Sequence, residues 1–377
     1  MNPSESTYDV VVIGAGIVGA ACAYFLMKEG FQVAVLERGT VAGGATGAAM
    51  GHLVAMDDSP AQLALTKFSL QLWTELEEQL PASAEYRQPG TLWIASDDEE
   101  MAEVRRKYEV YRSVGLACEI LDSAALAEAE PKLRRPLAGA LRVLGDGVIY
   151  PQAAAQFLLQ GAAERGALFT DCNVVSIDGN TILLRDGTRV SAGHIVNAAG
   201  CAATELTPGI VMRKRKGHLM ITDRYPGFLR HQVVELGYLK SAHSVSGDSI
   251  AFNLQPRTSG QILIGSSRQY DDEDAAVDHG IVRRIMERAC EFMPEVAILS
   301  TLRTWTGFRA ATLDKLPLIG PSPENVKVLL ATGHEGLGIT ASMATGRLIT
   351  DMILQRESPI AREPYLPSRM TNERARA

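Results

Sequence analysis

Residues 8–37 decide the fold of this chain. They read Tyr8-Asp9-Val10-Val11-Val12-Ile13, then Gly14-Ala15-Gly16-Ile17-Val18-Gly19, then a helical stretch to about Glu29 and an apolar run from Phe31 to Leu36 that ends in Glu37. A strand, a Gly-x-Gly-x-x-Gly turn, a helix and a second strand closed by an acid form the complete βαβ fingerprint of a dinucleotide-binding fold.

Each fingerprint position has a physical role. Gly14 makes the tight turn, Gly16 lets the backbone approach a pyrophosphate, and Gly19 lets the helix pack closely on the strand. The N–H groups at the start of the helix face the phosphates. Glu37 is placed to accept a hydrogen bond from a ribose hydroxyl, and its charge would repel a 2′-phosphate, which argues against NADP. The sequence therefore predicts a bound adenine dinucleotide.

Composition narrows the class of protein. The chain has 377 residues, 46% of them hydrophobic and 21% charged, which is typical of a globular protein with two domains. A net charge of −7 argues against nucleic acid or an anionic membrane as the main partner. The scattered cysteines without CxxC spacing predict free thiols in a reducing cytoplasm and no metal site; they are Cys22, Cys118, Cys172, Cys201 and Cys290.

One stretch has the length of a membrane span. Residues 10–27 carry no charge, but the fingerprint glycines interrupt them and no lysine or arginine precedes them. A buried parallel strand followed by a buried helix explains the run better. We therefore expect no membrane-spanning segment and a cytoplasmic protein.

Further along the chain, two segments have the composition of close approaches to a dinucleotide. A loop rich in glycine and alanine fills residues 38–53, and an apolar strand ends in Asn197-Ala198-Ala199-Gly200. We predict an α/β fold whose dinucleotide domain is discontinuous, built from 7–82, 148–213 and 306–356. A β-rich substrate domain is expected from 83–147 with 214–305, and a mobile tail from 357–377.

The order of the motifs resembles that of a known family. After the fingerprint and the Asn197–Gly200 turn come Trp305-x-Gly307-x-Arg309, Leu316-Pro317-x-Ile319-Gly320 and Gly333-His334-x-Gly336-x-Gly338-Ile339. This set resembles the D-amino-acid oxidase and glycine oxidase family of FAD enzymes, which includes sarcosine oxidase, over nearly the whole chain. The resemblance implies a glutathione-reductase-like Rossmann domain for FAD and an antiparallel sheet over the substrate.

Within that family, three segments look like the β subunit of bacterial D-hydroxyproline dehydrogenases, with opine oxidase and hydrogen cyanide synthase catalytic subunits related. The segments are 215–219, 235–238 and 252–269. The resemblance implies oxidation of D-hydroxyproline, D-proline or a similar amino or imino acid to its imine, by hydride transfer to flavin N5. Electrons would pass to a partner subunit. The alternatives are an oxidase that makes hydrogen peroxide, and a flavin-binding subunit that serves assembly or electron relay.

The resemblance also implies which residues bind the cofactor. FAD is expected to be non-covalent, because no cysteine lies near the closing segments where sarcosine oxidases tether it. Glycine oxidases carry an arginine where this chain has Gly336. The implied FAD-binding residues are Gly14, Ala15, Gly16, Ile17, Val18, Gly19, Glu37, Arg38, Gly44, Ala45, Thr46, Met50, Gly51, His52, Leu53, Val175, Ala198, Ala199, Gly200, Arg309, His334, Gly336, Leu337, Gly338, Ile339 and Thr340.

Three side chains are candidates for catalysis. Arg309 suits a substrate carboxylate, which a guanidinium holds with two parallel hydrogen bonds, although a salt bridge with Asp314 would also explain it. His52 could face the flavin or the substrate, or simply bind backbone. Tyr238 could close the pocket, or pack as an aromatic side chain with a wet hydroxyl. The basic run 213–216 is interpreted as an attractor of anions, a subunit contact or a solvated face.

Overall fold

The computed structural model describes residues 8–237, 249–270 and 272–370. Its first sheet is mostly parallel, with strand order β17-β18-β11-β1-β2-β8, and a β9-β10 hairpin extends β11. Only the β17–β18 pair and the hairpin run antiparallel. These strands are β1 Tyr8–Ile13, β2 Val33–Leu36, β8 Leu168–Phe169, β9 Val174–Asp178, β10 Thr181–Leu184, β11 Arg189–Asn197, β17 Leu318–Pro321 and β18 Val328–Thr332.

The second sheet is antiparallel except where β4 and β13 pair, with strand order β16-β12-β15-β14-β13-β4-β6-β5. A short pair, β3 His52–Leu53 with β7 Gly147–Val148, lies between the fingerprint loop and this sheet. The strands of the second sheet are β4 Thr91–Ala95, β5 Cys118–Asp122, β6 Gly139–Val143, β12 Arg213–Thr222, β13 Gln232–Glu235, β14 Ser249–Pro256, β15 Ile262–Tyr270 and β16 Thr301–Ala311.

Helices cover both sheets. Four of them bury one face of the first sheet in the largest hydrophobic core, and one packs on the outer face of the second sheet. The described helices are α1 Ile17–Lys28, α2 Ala45–Ala48, α3 Pro60–Leu76, α4 Asp98–Ser113, α5 Ser123–Ala129, α6 Pro151–Glu164, α7 Ala203–Leu206, α8 His279–Phe292 and α9 Gly338–Ile353. The α/β class with a mixed second region, predicted from the sequence, is confirmed.

A side chain sets the start of α8. The helix begins at His279, directly after Asp278. The side chain of Asp278 accepts hydrogen bonds from the backbone N–H groups of Gly280 and Ile281. An aspartate that satisfies two free N–H groups sets the start of a helix more strongly than apolar spacing does.

No helix among the described residues combines the length and the apolar character that a bilayer crossing requires. Residues 10–27 are instead β1, the glycine turn and α1. The run is uncharged because both elements are buried within one core.

The segment from 357 to 370 differs from the expected mobile tail. Tyr365 is 1% exposed and its hydroxyl donates to the Ala61 carbonyl at 2.7 Å. Arg369 forms an ion pair with Asp314 at 2.6 Å. One aromatic side chain and one ion pair thus anchor a segment whose composition suggested little to bury. Residues 371–377 lie outside the described residues.

Substitution of Tyr365 tests this anchoring. Tyr365→Phe removes the hydrogen bond to the half-buried Ala61 carbonyl and should lower the free energy of unfolding by about 1 kcal/mol. Tyr365→Ala also opens a cavity and should cost about 3–5 kcal/mol. Denaturant unfolding of the flavin-loaded protein measures both. Equal stability of the wild type and both variants would show that the tail is not packed in solution.

Candidate functional site

One cavity of about 610 Å³ lies between the two sheets. It opens at the carboxyl ends of four parallel strands, since Gly14 follows β1, Glu37 follows β2, Ala198 follows β11 and Gly333 follows β18. The second sheet contributes its inner face, including Arg309. The carboxyl edge of an open α/β sheet is the usual place for a bound dinucleotide.

The fingerprint turn is packed too tightly for side chains. Gly14 has φ +102°, and a Cβ there would lie 2.6 Å from the Ala198 carbonyl oxygen. A Cβ on Gly19 would lie 2.0 Å from the Gly14 carbonyl oxygen. At the start of α1 the Ile17 N–H donates to the Thr46 hydroxyl at 3.0 Å. These contacts bring the N-terminus of α1 to the cavity wall, where it can receive a pyrophosphate.

Glu37 organises the turn as well as facing the cavity. One of its carboxylate oxygens accepts the N–H of Ala15 at 2.8 Å, and the other accepts the N–H of Gly39 at 2.9 Å. A carboxylate has about four acceptor positions, so it can still bind a ribose hydroxyl. The residues around this end of the cavity therefore fit the adenosine part of FAD.

The second sheet holds the loop 44–53 against the cavity. Trp305 donates its indole N–H to the Ala48 carbonyl at 3.0 Å, and Gln255 donates to the Met50 carbonyl at 2.8 Å. A Cβ on Gly307 would lie 2.4 Å from the Ala48 side chain. The backbone of this loop is fixed at the wall, as the close approach of a flat ring would require.

His52 lies at the cavity wall as a neutral imidazole. Its Nε2 is 2.8 Å from the Thr91 hydroxyl, and burial lowers the pKa of His52 to about 3. Behind Thr91, burial raises the pKa of Asp146 to about 7. His52 thus has a fixed orientation and carries no charge at neutral pH.

The loop after β18 brings free backbone donors to the cavity. Gly333 has φ +78°, and Gly338 starts α9 without a side-chain cap. His334 is buried, its Nε2 lies 2.9 Å from the Thr345 hydroxyl, and burial lowers its pKa to about 4. The imidazole of His334 therefore positions the loop, and the helix N-terminus supplies the positive potential.

Most of the predicted FAD-binding residues line the cavity. Tyr238, a candidate for catalysis, lies outside the described residues. Ala15, Gly19, Leu53, Val175 and Thr340 do not line it. Those that do are Gly14, Gly16, Ile17, Val18, Glu37, Arg38, Gly44, Ala45, Thr46, Met50, Gly51, His52, Ala198, Ala199, Gly200, Arg309, His334, Gly336, Leu337, Gly338 and Ile339.

The predicted residues that do not line the cavity lie behind its wall or beside it, and their contact with FAD stays a prediction. Leu53 is part of the core. The Thr340 hydroxyl accepts from Val54 N and donates to the His52 carbonyl, so it fixes β3. Val175 is 41% exposed, and its neighbour Val174 lines the cavity instead. Alternation along β9 turns these two side chains to opposite faces.

Arg309 projects from β16 into the cavity. It donates one hydrogen bond to the Ser267 carbonyl at 3.1 Å, and within the described residues it forms no ion pair. The salt bridge with Asp314, considered from the sequence, is not formed, because Asp314 pairs with Arg369. A Cβ on Gly217 would lie 2.6 Å from the guanidinium, so the absence of a side chain there makes room for it.

Sequence reasoning missed a charged cluster beside Arg309. Glu335 has φ +51° and accepts from Arg215 at 3.0 Å, with Arg268 at 3.6 Å. Burial would raise the pKa of Glu335, but Arg268, Arg309 and Arg215 lower it to about 2. Arg215 and Lys216 of the basic run are buried rather than solvated. The signal in the sequence was the basic run 213–216, which contains Arg215.

Among residues 8–237, 249–270 and 272–370, no three histidine, cysteine or acidic residues come together in a way that could hold a metal ion. The prediction of a metal-free site stays a prediction. All five cysteines are unpaired in the structure.

Known proteins resemble this chain over nearly its whole length and theirs. Glycine oxidase from Geobacillus kaustophilus is 29% identical over 374 residues, 95% of this chain and 96% of the relative. Hydrogen cyanide synthase subunit HcnC from Pseudomonas aeruginosa is 26% identical and covers 98% of both chains. The crystal structure of the Geobacillus kaustophilus glycine oxidase superposes with a TM-score of 0.85 at 28% identity, covering 96% of this chain and 98% of that one.

A family model supports the same assignment over most of the length. The model described as FAD dependent oxidoreductase (DAO) matches residues 9–352, which include the fingerprint, both sheets and the loop after β18. The cavity fits FAD at both its fingerprint end and its α9 end. This chain therefore belongs to the DAO family of FAD-dependent oxidoreductases.

Proposed function

We propose that this enzyme oxidises a small amino or imino acid to its imine, with a cyclic D-imino acid such as D-hydroxyproline or D-proline as substrate. The observation that carries the proposal is Arg309, a guanidinium without an ion-pair partner in the described part of the chain, in the same cavity as the dinucleotide fingerprint. The relatives include a glycine oxidase, whose name states that it oxidises an amino acid. FAD, when bound, accepts the hydride at N5.

Arg309 orients the substrate in the proposed reaction. A guanidinium that donates two parallel hydrogen bonds fixes both the position and the plane of a carboxylate. Ser267 and the space at Gly217 hold that guanidinium in one place. The carbon next to the carboxylate is then the one presented to the ring, which is the carbon that an α-amino acid oxidation requires.

The chain needs no strong base for this chemistry. His52 is a weak base because burial lowers its pKa to about 3, and we assign it an orienting role at the wall. An amine that binds in its neutral form can give up hydride without a separate proton acceptor. The N-terminus of α9, beginning at Gly338, would stabilise negative charge on the reduced cofactor.

We propose that residues 7–82, 148–213 and 306–356 hold FAD and that 83–147 with 214–305 forms the substrate side. The boundary falls within β16, Thr301–Ala311, which brings Arg309 to the cavity from the second sheet. FAD binds without a covalent link, and burial raises the pKa of the Cys172 and Cys201 thiols near the cavity. Unpaired cysteines suit a reducing compartment, so we place the enzyme in the cytoplasm.

The electron acceptor is proposed to be a partner subunit. The relative HcnC is itself named as a subunit. The rival is a free-standing oxidase that reduces oxygen to hydrogen peroxide. A rival of another class is a flavin-binding subunit used for assembly or electron relay, in which Arg309 would have no effect on flavin reduction.

Glu37→Gln tests the FAD site. An amide cannot accept both the Ala15 and the Gly39 N–H groups, so FAD affinity should fall by about tenfold or more. Titration of the apoprotein with FAD by fluorescence measures this. Glu29→Gln, at the far end of α1 and paired with Arg356, is the matched control and should bind FAD normally. Equal affinities for the wild type and Glu37→Gln would contradict the assignment.

Arg309→Lys tests the carboxylate anchor. A lysine keeps the charge but loses the paired hydrogen bonds, so the efficiency of anaerobic flavin reduction should fall by about 10–100-fold while FAD stays bound. Stopped-flow reduction by D-hydroxyproline and D-proline provides the measurement. Arg283→Lys, on an exposed part of α8, is the control. Unchanged reduction in Arg309→Lys would favour the relay or assembly role.

Reoxidation separates the dehydrogenase from the oxidase. The substrate-reduced protein is mixed with air, and flavin absorbance and peroxide are followed. Recovery over minutes, which an added artificial electron acceptor shortens to seconds, is expected for an enzyme that awaits a partner. Recovery within seconds with one peroxide per flavin would show an oxidase and overturn the proposed acceptor.

A further inference from the structure

The cavity contains charged groups beyond those that hold a carboxylate. Arg268 on β15 and Glu335 on the loop after β18 both line it, and their side chains are 9% and 13% exposed. The distance from Arg268 Nε to Glu335 Oε1 is 3.6 Å, longer than a direct hydrogen bond. The two charged groups lie side by side as an ion pair, and one oxygen atom beside them could hydrogen-bond to both.

This pair lies next to the carboxylate anchor. Arg309 donates to the carbonyl of Ser267, the residue before Arg268. Arg268, Arg309 and Glu335 line the same cavity, and a Cβ on Gly336, the residue after Glu335, would lie 3.8 Å from Arg309 Nε. A substrate whose carboxylate binds Arg309 therefore places its other atoms within reach of Arg268 and Glu335.

The second carboxylate oxygen of Glu335 is kept in place by the chain. Glu335 Oε2 accepts the Gly336 N–H at 2.6 Å, and Arg215 Nη1 donates to Oε1 at 3.0 Å. Arg215 is itself buried, with 4% of its side chain exposed. A carboxylate fixed by neighbours on two sides and still facing a cavity is an oriented acceptor.

A guanidinium only donates hydrogen bonds and an ionised carboxylate only accepts them. A hydroxyl does both, so one hydroxyl can accept from Arg268 and donate to Glu335. A second carboxylate on the substrate would be repelled by Glu335. A plain methylene would leave both charged groups facing an apolar surface, which is unfavourable.

We propose that Arg268 and Glu335 together form the subsite that recognises a hydroxyl group on the substrate ring, and that they make the enzyme select a hydroxylated imino acid over the unsubstituted one. This inference rests on the proposed function, since it takes Arg309 as the carboxylate anchor. It goes further by assigning the specificity to two named residues.

The test compares three substrates in one assay. Anaerobic flavin reduction is measured with 4-hydroxy-D-proline, as each epimer, and with D-proline. The wild type should prefer one hydroxylated epimer by about tenfold or more, because a site that hydrogen-bonds a hydroxyl discriminates against an analogue that lacks it. Arg268→Met should lower this preference by about fivefold or more, because flavin reduction by the hydroxylated substrate becomes less efficient. The efficiency of reduction by D-proline should change by less than about twofold.

Glu335→Gln provides a second variant of nearly unchanged shape. It removes the ionised acceptor and should lower the same preference. Arg283→Met, on the exposed face of α8, is the matched control for the arginine change and should keep the wild-type preference. A purely structural role for Arg268 and Glu335 would slow both substrates together and leave their ratio unchanged, which would overturn the proposal.

The outcomes also distinguish a failure of the hydroxyl subsite from a failure of the proposed function. If none of the imino acids reduces the wild-type flavin, the proposed function fails and the subsite fails with it. If D-proline and both 4-hydroxy-D-proline epimers reduce it with equal efficiency, the proposed function stands and the subsite is wrong.

Discussion

The contact between Gly19 and the Gly14 carbonyl is the constraint on which the rest of the molecule depends. A single methyl group at Gly19 would lie 2.0 Å from that oxygen, so α1 can start at the sheet edge only because both positions are glycine. The same turn abuts the Ala198 carbonyl at the end of β11. One steric condition thereby brings a helix N-terminus and two strand ends to a single edge, and the cavity follows from it.

The second sheet completes the cavity through contacts from its inner face. Trp305 and Gln255 hold the loop 44–53, while Glu335 ties the loop after β18 to Arg215 on β12. These links connect the cofactor side of the cavity to the substrate side. Arg309 lies between the two, with its guanidinium placed by Ser267 and by the space at Gly217. Cofactor and substrate sites are therefore built by shared contacts.

The cofactor site could be predicted from the sequence because it depends on local backbone conformation. The spacing of Gly14, Gly16 and Glu37 within one βαβ unit predicts this site. The cluster of Arg215, Arg268 and Glu335 could not be predicted, since its members come from two strands and a distant loop. The anchoring of the tail by Tyr365 was missed for the same reason. Spacing shows what neighbours along the chain can do, but pairing across a sheet depends on tertiary register.

The most direct test of the central claim is a crystal structure of the flavin-loaded enzyme with a non-reacting ring carboxylate such as pyrrole-2-carboxylate. The account predicts the pyrophosphate of FAD at the N-terminus of α1, the isoalloxazine ring between the loop 44–53 and the N-terminus of α9, and the ligand carboxylate paired with both terminal nitrogens of Arg309. A carboxylate bound away from Arg309, or a flavin ring outside this cavity, would contradict it.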